Sequence, residues 1–201
     1  MKFTYDYLVE KAVDSLVKEN AASREEAEVY RFGVEVTLLK VLHLISYFAI
    51  ALCMRQVLEF IIIFSIFCAF RRNTGGYHAK TRMGCYLFSC IVIAVMLTVS
   101  RGEMSLMHMA GLSICDLTVL VFISPVKNEN RPLDEEEISY FRRRLFVLGV
   151  LFVLVFVITA WLEYLQLVWL YTIGLTLVTL LAVLGKIYNE RSIFPQSKRG
   201  I

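Results

Sequence analysis

The run LFVLGVLFVLVFVITAWL, Leu145 to Leu162, holds neither a charge nor a proline, and Arg142, Arg143 and Arg144 stand directly before it. That length is close to the ~20 residues that carry a helix across a bilayer. A basic cluster on its edge is what a spanning helix leaves at the cytoplasmic face. Working outward, similar apolar stretches occupy roughly 32–54, 56–70, 83–100, 104–124 and 164–185. Only the stretch from Gln56 to Phe70 is short, and it calls for little tilt, local bilayer thinning or a re-entrant path. With 58% hydrophobic residues and a mean hydropathy of +0.63 over 201 residues, the chain carries more apolar surface than a soluble domain can keep from water. The expected fold is all-α: a polytopic membrane protein of six transmembrane helices whose solvent is the lipid bilayer, with no nucleic-acid partner.

Lysine and arginine alternate from loop to loop. The N-terminal region carries Lys2, Lys11, Lys18, Arg24 and Arg31, and Arg55 stands alone after the first stretch. Arg71, Arg72, Lys80 and Arg82 follow the second, Arg101 alone the third, and Lys127, Arg131 and Arg142 to Arg144 the fourth. The turn at Glu163 has none, and the tail has Lys186, Arg191, Lys198 and Arg199. This pattern predicts both termini in the cytoplasm, with the loop at 71–82 on the same side.

Before the first span, Tyr5, Leu8, Val9, Ala12, Val13, Leu16 and Val17 recur at three-and-four spacing, with charged residues between them. They predict an amphipathic helix lying in the headgroup plane. Ser23 with Glu26 reads as a capping box opening a second helix. Further on, Asp134 followed by Glu135, Glu136 and Glu137 has the composition of a helix start, and this helix should enter the membrane at Arg142 to Arg144. The organisation expected is one membrane domain over 1–201: amphipathic helices at 1–31, the spans at 32–185 and a cytoplasmic tail at 186–201. No apolar segment of the first 33 residues suggests a cleavable signal peptide.

The stretch Arg71-Arg72-Asn73-Thr74-Gly75-Gly76-Tyr77-His78-Ala79-Lys80-Thr81-Arg82-Met83-Gly84-Cys85 joins two of the spans. It brings together an imidazole, a thiol, two adjacent glycines and four basic residues. A cysteine nucleophile acts as its thiolate and needs positive charge or a histidine beside it. On a continuous helix His78 and Cys85 would lie ~10 Å apart along the axis, so the pair requires the loop to fold back. Gly75 and Gly76 permit that turn, and the start of the third span just before Cys85 would offer helix N-terminal charge. Taken alone, the same residues also suit an interfacial histidine and a packing cysteine.

Other polar residues suggest other chemistry. Lys40 and Asp116 lie deep in spans, where an unpaired charge costs about 2.5–3.5 kcal/mol, so a structural Lys40/Asp116 pair is expected. With Glu59 they could instead line a transport path, making a small peptide transporter the alternative function. A thiol oxidoreductase would use Cys85 and Cys90, but no Cys-x-x-Cys is present. The five cysteines are odd in number and imply no disulfide framework. His43 and His108 have no second ligand at helical spacing, so neither a metal nor another cofactor is expected.

The motif, set at the end of the second apolar stretch of a six-span chain, resembles the accessory gene regulator B family of bacterial quorum-sensing peptidases. The likeness extends to the amphipathic N-terminus and to the Pro125 loop with Lys127, Asn130, Arg131 and Pro132. It implies a cysteine endopeptidase of the bacterial cell membrane with Cys85 and His78 as the catalytic pair. Arg71 or Arg72, with Gly75 and Gly76, would be needed to shape the site. The implied substrate is a short amphipathic propeptide, cleaved to a thioester acyl-enzyme and released as a cyclic thiolactone or lactone signal. Its acidic tail would dock on Arg142, Arg143 and Arg144, and a second copy of the chain is a further candidate partner.

Overall fold

The computed structural model describes residues 7, 9–11, 14–15, 27–77, 81–126 and 134–193, with side chains as far as Tyr188. Six long helices follow one another: α1 Ala27–Met54, α2 Val57–Thr74, α3 Arg82–Val99, α4 Leu106–Ile123, α5 Glu135–Trp161 and α6 Leu165–Ile193. The described residues before α1 are helical as well. The Ser23 capping box and most of the amphipathic face lie outside the described residues.

Five of these helices, α1, α3, α4, α5 and α6, are long and apolar enough to cross a membrane. The exception, α2, runs past its apolar part through Arg71 and Arg72 to Thr74, so its 18 residues include those arginines and Glu59. Two other helices also overrun the apolar stretches. α5 begins at Glu135, where the Asp134 carboxylate accepts a hydrogen bond from the Glu137 N–H at 2.7 Å, and continues through the three arginines without a break. α6 passes Gly185 and continues as helix to Ile193.

The chain forms two compact units, 1–50 and 51–201. In the first, Val9 is buried and Arg31 reaches Glu10 at 3.6 Å. The second is built around α6, which packs against α2, α4 and α5 and buries 67% of its apolar stretch. Between lipid-soluble helices there is little hydrophobic drive to associate, so close approach at small residues and hydrogen bonds must do it. Gly174 supplies the first: a Cβ there would sit 2.9 Å from the Ile66 Cβ and 3.0 Å from the Ile63 carbonyl oxygen of α2. Hydroxyls supply the second. Thr176 Oγ1 donates to Asp116 Oδ2 at 2.6 Å, and the Ser113 and Thr172 hydroxyls meet at 3.2 Å, joining α4 to α6. Asp116 is buried and finds its hydrogen-bond partner on α6; Lys40 is exposed in the other unit.

Two ends of the second unit are tied differently. Around Phe70, the apolar cluster of Leu120, Leu145, Phe152, Leu175, Val178 and Ala182 joins α2, α4, α5 and α6, with the Phe70 and Phe152 rings edge-on at 5.9 Å. At the other end a polar knot closes three turns. Gln56 donates to Ser100 Oγ at 2.8 Å and accepts from Arg101 Nε at 3.0 Å; Arg101 also donates to the Met54 carbonyl, and Gln166 to the Ser100 carbonyl. Gln56 is buried, so removing it strands its partners at a cost of about 1–3 kcal/mol. Gln56→Leu should therefore lower the unfolding midpoint of the detergent-purified protein by several degrees, read by differential scanning fluorimetry.

Candidate functional site

The site begins where α2 stops. Gly75 takes φ +68° and Gly76 φ +136°, values that side-chain-bearing residues rarely adopt, and the chain turns there as the double glycine predicts. Space forbids a Cβ as firmly as conformation does. At Gly75 it would lie 2.9 Å from the Val126 carbonyl oxygen, and at Gly76 it would overlap the Arg71 guanidinium and stand 2.7 Å from the Leu181 carbonyl oxygen. The turn is thus enclosed by the α4–α5 connection, by α6 and by the arginine of its own helix.

Hydrogen bonds hold it in that position. Arg71 donates one Nη to the Gly75 carbonyl and the other to the Tyr77 carbonyl at 2.7 Å. The Tyr77 N–H donates to the Leu181 carbonyl of α6, and the Val126 N–H to the Thr74 carbonyl, both at 2.9 Å. Such proximity to α6 depends on Gly185, where a Cβ would be 2.5 Å from the Gly76 carbonyl carbon and from the Tyr77 nitrogen. The Tyr77 ring then meets Tyr188 of α6 at 5.3 Å and Phe88 of α3 at 5.8 Å, both edge-on, fixing the turn to the helix that carries Cys85.

α3 starts at Arg82 with Thr81 as its cap, the Thr81 hydroxyl accepting from the Gly84 N–H at 3.1 Å. Cys85 follows directly, half-buried, its own N–H bonded to the Thr81 carbonyl at 2.9 Å. A thiolate there faces the positive end of the helix dipole. Arg71 stands just past the apolar part of α2 and is half-buried. Burial lowers its pKa from the ordinary arginine value, and a negative charge on Cys85 would act on it in the opposite direction. A guanidinium keeps its proton in proteins, which makes Arg71 a fixed cation for that thiolate.

His78, with Ala79 and Lys80, lies outside the described residues; the flanking Tyr77 and Thr81 are the anchored positions just described. The two arginines of the motif part company. Arg71 enters the turn, whereas Arg72 is exposed and lines a separate groove with Asn73, Arg143 and Arg144. Arg142 instead points its Nε at the Ser124 carbonyl, at 3.5 Å. Cys85 and Cys90 are five positions apart on one continuous helix, ~140° around it and ~7.5 Å along it, which keeps their sulfurs from pairing. His43 Nδ1 is 2.7 Å from the Leu39 carbonyl and His108 Nδ1 is 2.6 Å from Ser105 Oγ. Among the described residues no group of three or more His, Cys, Asp or Glu could hold a metal ion.

Tyr77, Val126, Leu181 and Gly185 were not legible as site residues in the sequence. The one available signal was Gly185, an isolated glycine at the end of the last apolar stretch.

The model of the family described as accessory gene regulator B matches residues 9–183. The chain belongs to the accessory gene regulator B family. Among curated relatives, the accessory gene regulator protein B of Staphylococcus intermedius is 24% identical over 145 residues, which cover 71% of this chain and 77% of the relative. No solved structure matches.

In this family member the contact of α6 with the turn can be probed by one methyl group. Gly185→Ala should destabilise by about 1–3 kcal/mol through overpacking, and it should change the rate at which Cys85 is alkylated by iodoacetamide. Gly111→Ala, where a Cβ would meet nothing within 4 Å, should leave both unchanged. Thermal melts and timed alkylation followed by mass spectrometry would check the pair.

Proposed function

We propose that this protein is a membrane cysteine endopeptidase that matures a quorum-sensing propeptide, with Cys85 as nucleophile and His78 as general base and then acid. The observation that carries the reading is Arg71. It orders the backbone as far as the residue before His78, and its guanidinium lies where a charge on Cys85 would act on it. The proposed substrate class is a short amphipathic propeptide, a reading the family likeness supports; the proposed location is a bacterial cell membrane crossed six times, with α2 as the extra span and both termini in the cytoplasm, a reading the lysine and arginine alternation supports.

The chemistry runs in two acyl transfers. His78 takes the Cys85 proton, Sγ attacks the scissile carbonyl, and collapse of the tetrahedral intermediate breaks the C–N bond while the imidazolium protonates the leaving amine. The N-terminal product stays on Cys85 as a thioester. An internal thiol or hydroxyl of the bound peptide then gives its proton to the now neutral His78 and attacks that thioester, closing the ring while the carbonyl–sulfur bond breaks and Cys85 leaves as its thiolate. Exchange of a thioester for a thiolactone costs little, so the site must chiefly exclude water and hold the attacking group near. A turn tied to three helices at the membrane face suits both needs.

Cys85→Ala and His78→Ala should each abolish propeptide cleavage in proteoliposomes while Cys90→Ala retains most of it. Arg71→Lys keeps the charge but loses the two-pronged grip on the turn, and should cut the cleavage rate at least about tenfold. A propeptide whose internal nucleophile is replaced by alanine should accumulate as a hydroxylamine-sensitive adduct on Cys85, visible by intact-protein mass spectrometry. A transporter working through Lys40, Glu59 and Asp116 would be indifferent to Cys85→Ala, and normal cleavage by that variant would refute the peptidase reading. Cysteines introduced near 75 and near 163 should be labelled from opposite sides of intact cells if the orientation is as proposed.

A further inference from the structure

A groove of about 670 Å³ lies between α2 and α5. Arg72, Arg143 and Arg144 line its charged part, and among the described lining residues there is no carboxylate. Arg144 is steadied by the Tyr140 ring, its guanidinium carbon 5.2 Å from the ring centre. Three cations converging on one groove repel one another and call for an anion. The rest of the lining is uncharged: Cys68, Ala69, Val147 and Leu148. Cys68 is exposed and Val147 is 52% exposed, so the groove opens sideways, at the level where the apolar parts of both helices begin.

A second observation narrows the occupant. Asn73 is only 5% exposed and lines the same groove; its Nδ2 donates to the Ala69 carbonyl at 3.0 Å, but among the described residues its Oδ1 has no hydrogen-bond partner. Buried acceptors are rarely left so. A carboxylate satisfies arginines but brings no hydrogen for Asn73. The occupant needs an anionic group, a nearby hydrogen-bond donor and an apolar portion that can follow Val147 and Leu148 into the hydrocarbon.

We propose that this groove binds the headgroup of a phosphatidylglycerol molecule, its phosphate on Arg72, Arg143 and Arg144 and a glycerol hydroxyl on Asn73 Oδ1. Basic pockets between membrane helices at a membrane face are suited to anionic headgroups. A peptide with an acidic side chain and a free backbone N–H is the rival occupant expected from sequence. The sideways opening favours the lipid, because the bilayer itself keeps lipid at that opening. This site stands independently of the peptidase reading, and its test does not involve peptide cleavage.

The test uses the full chain in nanodiscs of phosphatidylcholine and phosphatidylglycerol, in which one lipid or the other carries a photoreactive diazirine in its acyl chain. After irradiation, the label on the peptides around Cys68 and Val147 is measured by mass spectrometry. Phosphatidylglycerol should label them several-fold more than phosphatidylcholine. That preference should fall by about fivefold for each of Arg143→Gln and Arg144→Gln. Because these arginines also mark membrane entry, Asn73→Leu provides the second arm: it leaves every charge in place and should still reduce the preference. Equal labelling by the two lipids would overturn the proposal, as would a preference untouched by all three variants. Loss of the phosphatidylglycerol label on adding a soluble acidic peptide would overturn it in favour of a peptide site.

Discussion

The grip of Arg71 on the turn at Gly75 to Tyr77 is the interaction on which the site depends. A turn with two consecutive positive φ values has no helix or sheet to satisfy its carbonyls, and it is partly buried. Arg71 meets two of those carbonyls with one planar group. Lysine, with a single ammonium, could not span both. The same guanidinium leaves no room for a side chain at Gly76, so the glycine and the arginine require each other.

What the arginine organises, α6 receives. The Leu181 carbonyl belongs to a continuing helix, and its second lone pair takes the Tyr77 N–H. Gly185 clears the approach one turn further on. Below, the polar contacts from Asp116 and Ser113 to Thr176 and Thr172 bind α4 to the same helix, and Gly174 admits α2. The burial of α6 among three neighbours therefore has a chemical purpose in the proposed mechanism: it provides the wall against which the turn is folded.

The reach of sequence reading divides along physical lines. Apolar stretches locate helices because crossing a membrane demands length and composition, and N-caps such as Asp134 mark their starts because orphan N–H groups need acceptors. The glycine pair announced a turn because few other residues tolerate that backbone. By contrast, Arg71 and Arg72 are neighbours ~100° apart on a helix, and nothing local decides which one turns inward. Gly185 and Leu181 act on residues more than a hundred positions away, a proximity that no periodicity encodes. Asp116 raised the same difficulty: its charge demanded a partner, yet a threonine hydroxyl on α6 serves, where a cation was expected. The overrun of α6 past its apolar stretch was hidden for a simpler reason, since a helix persists into water as long as its propensity and caps allow.

The length of α6 has a mechanical implication. One uninterrupted rod carries Gln166, tied into the polar knot at one end, and Leu181, Gly185 and Tyr188, clasping the turn at the other. Fifteen residues separate Gln166 from Leu181, a rise of ~22 Å. The helix thus works as a gauge rod, setting the depth of the turn from the opposite face by covalent geometry and not by the surrounding lipid. A thinner or thicker bilayer would tilt this assembly as a whole, and the spacing between the knot and the turn would stay the same.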